Sequence, residues 1–131
     1  MKILALDVGR KRIGLAISQS GILVQEFLTM DNKESSSFTE IAEIIEDEGI
    51  EKLVIGLPKN MDGTDAEITK YVEEFSKKLS AIISIPVDFE DERLTTKEAE
   101  RQLRNSGLNH EEIEKRIDQY SAKLILEQYL E

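Results

Sequence analysis

Along the chain the spacing of apolar positions alternates between short continuous runs and helical periods, and each change of pattern marks a predicted element. Lys2–Asp7, Ile13–Ser18 and Ile22–Thr29 read as strands, joined by a turn at Gly9 and by a hairpin loop at Gln19-Ser20-Gly21. Three strands with such short connections predict an antiparallel meander. Phe38, Ile41, Ala42 and Ile45 then follow helical spacing, and Gly49 is the predicted stop. Lys52–Leu57 is a strand with both faces buried, ended by Pro58. Thr64 and Glu67 have capping-box spacing before a helix marked by Ile68, Val72, Phe75 and Leu79, and Ile85–Glu90 is the fifth strand. A second capping box, Thr95 with Glu98, opens a helix that Gly107 closes. Asn109 with Glu112 opens the last helix, whose inward positions include Ile113, Ile117, Tyr120 and Leu124.

The order βββαβαβαα predicts an α/β fold in which three antiparallel strands are extended by two parallel strands through crossover helices. That is the order of a ribonuclease-H-like, five-stranded mixed sheet flanked by about four helices. No repeat or Pro/Gly-rich linker divides the 131 residues, so residues 1–131 are expected to form a single domain.

Composition narrows the chemistry. With 40% hydrophobic and 34% charged residues, the chain reads as globular. No apolar run approaches the ~20 residues of a membrane span, and the apolar start is too short for a secretory signal, so a cytoplasmic protein is expected. Cysteine is absent, which excludes disulfides, thiolate nucleophiles and cysteine-ligated zinc. The single histidine, His110, stands beside Glu111 and Glu112 and reads as a solvated first-turn helix residue. A metal would therefore be oxygen-bound, favouring Mg²⁺ or Mn²⁺. The net charge of −10 argues against nonspecific nucleic-acid binding. Its distribution is uneven, however: seven acidic residues and no cation lie between Lys33 and Lys52, whereas residues 1–12 hold four cations against Asp7.

The densest chemistry is at Asp7, which closes the first strand and runs into Gly9-Arg10-Lys11-Arg12. A carboxylate at a strand end, a glycine turn and consecutive cations suit a metal ion handling a phosphate. On its own, Asp7 reads equally well as a turn residue. The strands ending at Leu57 and at Glu90 should deliver Lys59 and the Asp91-Glu92-Arg93 run to the same rim. Asp118, a poor interior helix residue, would join them if its helix packs across the sheet. Carboxylates so grouped repel one another without a cation, and two-metal phosphodiester hydrolysis uses such a cluster. Other motifs fail: Gly9 and Gly14 have Walker A spacing, but Leu15 stands where lysine is required. Tyr71 and Phe75 read as core.

Taken together, Leu6-Asp7-Val8-Gly9 with Arg12-Ile13-Gly14, Val54-Ile55-Gly56-Leu57-Pro58, Asn60-Met61-Asp62-Gly63-Thr64, Asp91 through Ala99 and the helix from Asp118 to Leu130 span nearly the whole chain. In these motifs it resembles the YqgF/RuvX group of ribonuclease-H-like proteins, described as pre-16S rRNA nucleases and Holliday-junction-resolvase-like proteins. Ser121-Ala122 departs from the paired alanines frequent in the group, which is expected to be a mild packing change. The resemblance implies a Mg²⁺- or Mn²⁺-dependent nuclease in ribosomal RNA maturation, with Asp7, Glu92 and Asp118 as catalytic metal ligands and Asp91 as the rival to Glu92. Arg10, Lys11, Arg12, Lys59 and Arg93 are the expected phosphate contacts. RNA is the favoured partner. Branched DNA is the alternative and calls for a homodimer rather than a monomer. Two further readings are an RNA-binding ribosome-assembly factor with a vestigial site, aided by a ribosomal or assembly-factor partner, and, last, a nucleotide-phosphate binder.

Overall fold

The computed structural model describes residues 1–92 and 95–131. Five strands, β1 (Ile3–Val8), β2 (Arg12–Ser18), β3 (Gln25–Asp31), β4 (Lys52–Leu57) and β5 (Val87–Asp91), form one sheet in the order β3-β2-β1-β4-β5. β1, β2 and β3 pair antiparallel, whereas β4 and β5 continue the sheet in parallel. The helices are α1 (Ser35–Glu48), α2 (Glu67–Ser80), α3 (Thr95–Asn105) and α4 (His110–Tyr129). This is the predicted ribonuclease-H-like arrangement. Among the described residues no helix is long and apolar enough to cross a membrane.

The alternation of side chains along a strand makes the two sheet faces very different. Leu4, Leu6 and Val8 of β1, Ile13, Leu15 and Ile17 of β2, and Leu53 and Ile55 of β4 pack with Phe38, Ile41 and Ile45 of α1 and Val72, Phe75 and Leu79 of α2. Phe38 meets Phe75 edge to face, with ring centroids 4.8 Å apart. The intervening positions are small or polar: Ala5 and Asp7, Gly14 and Ala16, Val54 and Gly56. Against this thin face lies α4, through Ile125 and Leu126.

Several predicted ends move. β3 begins at Gln25 rather than Ile22, because the Ser20 hydroxyl accepts from the backbone N–H of both Ile22 and Leu23, each at 3.1 Å, and prolongs the turn. Ile22 and Leu23 stand exposed there. The Thr64 and Glu67 capping box does not form. The Thr64 hydroxyl donates to Asp62 within its own loop, and α2 starts from Ala66, whose N–H donates to Thr69 Oγ1 at 2.8 Å. The Glu98 carboxylate accepts from Arg101 and Gln102 one turn later, and the residues just before α3 lie outside the described ones. The Asn109 and Glu112 box is present in both directions, at 2.9 and 3.0 Å. On α4 the buried stripe runs through Ile113, Ser121, Ala122, Ile125 and Leu126; Leu124, expected inward, is only half-buried.

Candidate functional site

The carboxyl ends of β1, β4 and β5 share one rim, and the thin face of the sheet brings α4 down onto it. Asp7 is the penultimate residue of β1, opposite Gly14 of β2. A Cβ built on Gly14 would stand 2.0 Å from the Asp118 carbonyl oxygen. Only glycine lets β2 touch the α4 backbone there, and that contact seats Asp118 over Asp7. Arg116 and Gln119 hold the helix in rotation: Arg116 donates both guanidinium arms to Glu26 on β3 at 3.2 and 2.6 Å, and Gln119 donates to Glu26 at 3.1 Å.

Strand parity selects between the two carboxylates at the end of β5. Val87 packs into the α1/α2 core, while Asp88 and Glu90 reach Tyr129 and Gln128 on α4. The next even position, Glu92, therefore falls on the α4 face; its N–H prolongs the sheet by donating to Leu57 O at 3.3 Å. Gly56 receives it, since a Cβ there would lie 3.0 Å from the Glu92 carboxyl. Glu92 is buried and in hydrogen-bonding contact with Asp7, whereas Asp91 acts on it only as a neighbouring charge.

Burial dominates the electrostatics. The Asp7 carboxyl is pushed up to about 6 by desolvation and by the Asp118 charge, against the hydrogen bonds that favour its ionised form. Glu92 is pushed up to about 10 by burial and by the charge of Asp7. The pair thus holds a proton that sits mainly on Glu92 and is donated to Asp7. Asp118 is balanced differently, accepting from Arg12 Nε at 2.8 Å. Among the described residues no three carboxylate or imidazole groups stand at metal-holding separation. Arg12 supplies the compensating cation to Asp118 in that geometry.

The expected phosphate contacts lie around this rim in different states. Arg10 and Lys11 are exposed on the β1–β2 turn, with the Arg10 guanidinium over the Tyr71 ring at 4.9 Å from its centroid. Arg12 is exposed but paired with Asp118. Lys59 follows β4 and is paired with Asp65 at 3.3 Å. Arg93 lies outside the described residues. His110 opens α4 fully in solvent beside Glu114, away from the carboxylates, as its sequence context predicts.

Three contributors to the site were not singled out from the sequence alone. Gly14 and Gly56 carried a signal, because a glycine inside a strand marks close approach of other atoms. Asn32 carried none. Its amide donates to Gly9 O at 2.7 Å and to the Tyr71 hydroxyl at 2.8 Å, pinning the cationic turn to α2. Asn32→Ala is expected to lower the unfolding free energy by about 1–3 kcal/mol and to speed amide exchange in the turn, both measurable by denaturant titration with hydrogen exchange. Ser121, expected as a packing change, instead places a buried hydroxyl toward Asp7.

A mixed sheet of this order with a helix across its thin face defines a ribonuclease-H-like protein. Among solved structures it is similar to RuvC of Thermus thermophilus in complex with a Holliday junction substrate, with a TM-score of 0.61, 11% identity, and 99% of this chain and 94% of that one covered. At that identity the likeness is one of fold. The family described as RuvX, Holliday junction resolvase, matches residues 1–131, and the chain belongs to this nuclease family. A curated relative from Oceanobacillus iheyensis is 41% identical over 135 residues, covering 100% of this chain and 98% of its own length. Another, from Chloroflexus aurantiacus, is 40% identical over 131 residues, covering 98% and 86%. Both carry the name "Putative pre-16S rRNA nuclease".

Proposed function

We propose that this protein is a divalent-cation-dependent nuclease of the cytoplasm that hydrolyses phosphodiester bonds in RNA and processes the 5′ end of pre-16S rRNA. The supporting observation is that Asp7 contacts Glu92 and feels the charge of Asp118, on a chain whose curated relatives are named for that substrate.

The donor set suits a hard cation. Its members are carboxylate oxygens, two of them forced together strongly enough to retain a proton, and a buried hydroxyl beside them lacks a partner. Asp7, Glu92 and Asp118 would hold Mg²⁺ or Mn²⁺. When bound, such a cation would supply water activation and stabilisation of the leaving oxygen. The Asp7–Glu92 pair must first release its proton, so metal affinity rises with pH. Released from Arg12, Asp118 would be free to help hold the cation, and the Arg12 guanidinium would join Arg10 and Lys11 on the substrate phosphates. Lys59 reaches the same backbone from the other side of the rim once it leaves Asp65, and Arg93, by its place in the sequence after Glu92, either contacts the phosphates too or orients Glu92.

The test is cleavage of a structured pre-16S RNA fragment and of a four-way DNA junction, each with Mn²⁺, Mg²⁺ or EDTA. Metal-dependent cutting of the RNA is the expected result. Cutting of the junction alone, by a dimer, moves the assignment to the branched-DNA reading that the family description favours. RNA bound without turnover under any metal leaves only an assembly factor.

A further inference from the structure

Ser121 is fully buried, and its Oγ is the one buried side-chain polar atom among the described residues without a hydrogen-bond partner. Serine within a helix usually turns its hydroxyl to the carbonyl four residues back. Ser76 does so to Val72 O at 2.8 Å, and Ser106 to Gln102 O at 3.0 Å. Ser121 does not. It stands one turn beyond Asp118 on the buried stripe of α4, with its hydroxyl toward the Asp7 carboxyl. A buried side-chain polar atom left unmatched is uncommon and points to a functional role.

We propose that Ser121 is a positioning residue, whose hydroxyl donates to the Asp7 carboxylate and aims the remaining carboxylate oxygen at a divalent cation. This rests on the metal-dependent reading above. Hydrogen bonds to ligating carboxylates orient them, and their loss typically weakens metal binding about 10- to 100-fold. Ser76 is the internal control, because its hydroxyl is engaged by its own helix and lies in the α1/α2 layer.

The experiment is Mn²⁺ titration of the full chain, read by the paramagnetic resonance of free Mn²⁺, with melting temperatures taken in EDTA. Ser121→Ala is expected to weaken Mn²⁺ binding about 10-fold or more without lowering the melting temperature in EDTA, whereas a structural serine would lose stability instead. Ser121→Thr, which retains the hydroxyl, should recover much of the affinity, and Ser76→Ala should bind as wild type does. Equal Mn²⁺ affinity in wild type and Ser121→Ala overturns this inference alone, and so does equal weakening in Ser121→Ala and Ser121→Thr. A wild type that binds no Mn²⁺ overturns it together with the nuclease reading.

Discussion

Asp7→Asn is expected to abolish metal-dependent cleavage while making the metal-free protein more stable. The first half follows from position: Asp7 is the carboxylate that contacts Glu92 and feels Asp118. Its loss removes several kcal/mol of metal-borne transition-state stabilisation, a fall in rate of about 10³-fold or more. The second half follows from the sign of the shifts. Both carboxyls hold their protons more tightly folded than unfolded, Asp7 near 6 against 3.8 and Glu92 near 10 against 4.5. Their contribution to stability is complete below about pH 4 and is lost as pH rises through the folded values. In EDTA the wild type should therefore lose melting temperature relative to Asp7→Asn mainly between about pH 4 and pH 6, the interval between the unfolded and folded values of the Asp7 carboxyl. At pH 8 the neutral amide removes a penalty on the order of 2 kcal/mol, roughly 5 °C or more. Adding Mn²⁺ should reverse the ranking, because only the wild type gains stability from binding. Thermal scans of both proteins across pH, with EDTA and with Mn²⁺, check this. An Asp7→Asn protein that melts below wild type in EDTA at pH 8 would remove the electrostatic argument, and one that still cleaves would remove Asp7 from the chemistry.

Much of this site was legible in the sequence because strand alternation and strand ends are local properties. Asp7 closes an apolar run, and the element order places the ends of β1, β4 and β5 on one rim whatever their exact bounds. The choice between Asp91 and Glu92 was open because the predicted β5 ended at Glu90, before either residue. The contacts of Asp88 and Glu90 with α4 establish the parity that the sequence leaves undefined. The failed Thr64 capping box has a similar cause. Thr64 found a nearer partner in Asp62, and a four-residue pattern does not register such competition. Nor did helical spacing fix the rotation of α4, since Leu124 and Ile125 both suit an apolar stripe. Glu26 and Thr29, some ninety residues earlier, settle it through Arg116 and Gln119. Asn32 likewise acts through tertiary contacts alone, on Gly9 and Tyr71.

That rotation and closeness of α4 make Gly14→Ala the most damaging single-methyl change expected in the chain. The added Cβ would lie 2.0 Å from the Asp118 carbonyl oxygen, 2.1 Å from its carbon and 2.6 Å from Gln119 N. These are backbone atoms in the middle of a twenty-residue helix, so no rotamer change relieves the clash. Gly56→Ala differs, because its closest contact, at 2.5 Å, is the terminal methyl of Ile125, which can turn aside. For Gly14→Ala either β2 bends or α4 lifts, and a lifted α4 withdraws Ala122, Ile125 and Leu126 from the sheet together with Asp118. Overpacking commonly costs about 1–3 kcal/mol, and a backbone clash should exceed that range. Cleavage should fall further than stability explains, since a displacement of about 1 Å at a catalytic group costs about 10²-fold. Gly107→Ala is the counterpart: its φ of 86° strains an alanine, but nothing stands within 4 Å. It should cost about 1 kcal/mol and leave cleavage intact. Denaturant titration and cleavage assays of the two variants separate the effects. Wild-type stability and activity in Gly14→Ala would mean that α4 rides higher above β2 than this geometry has it, and Asp118 would then no longer be held over Asp7.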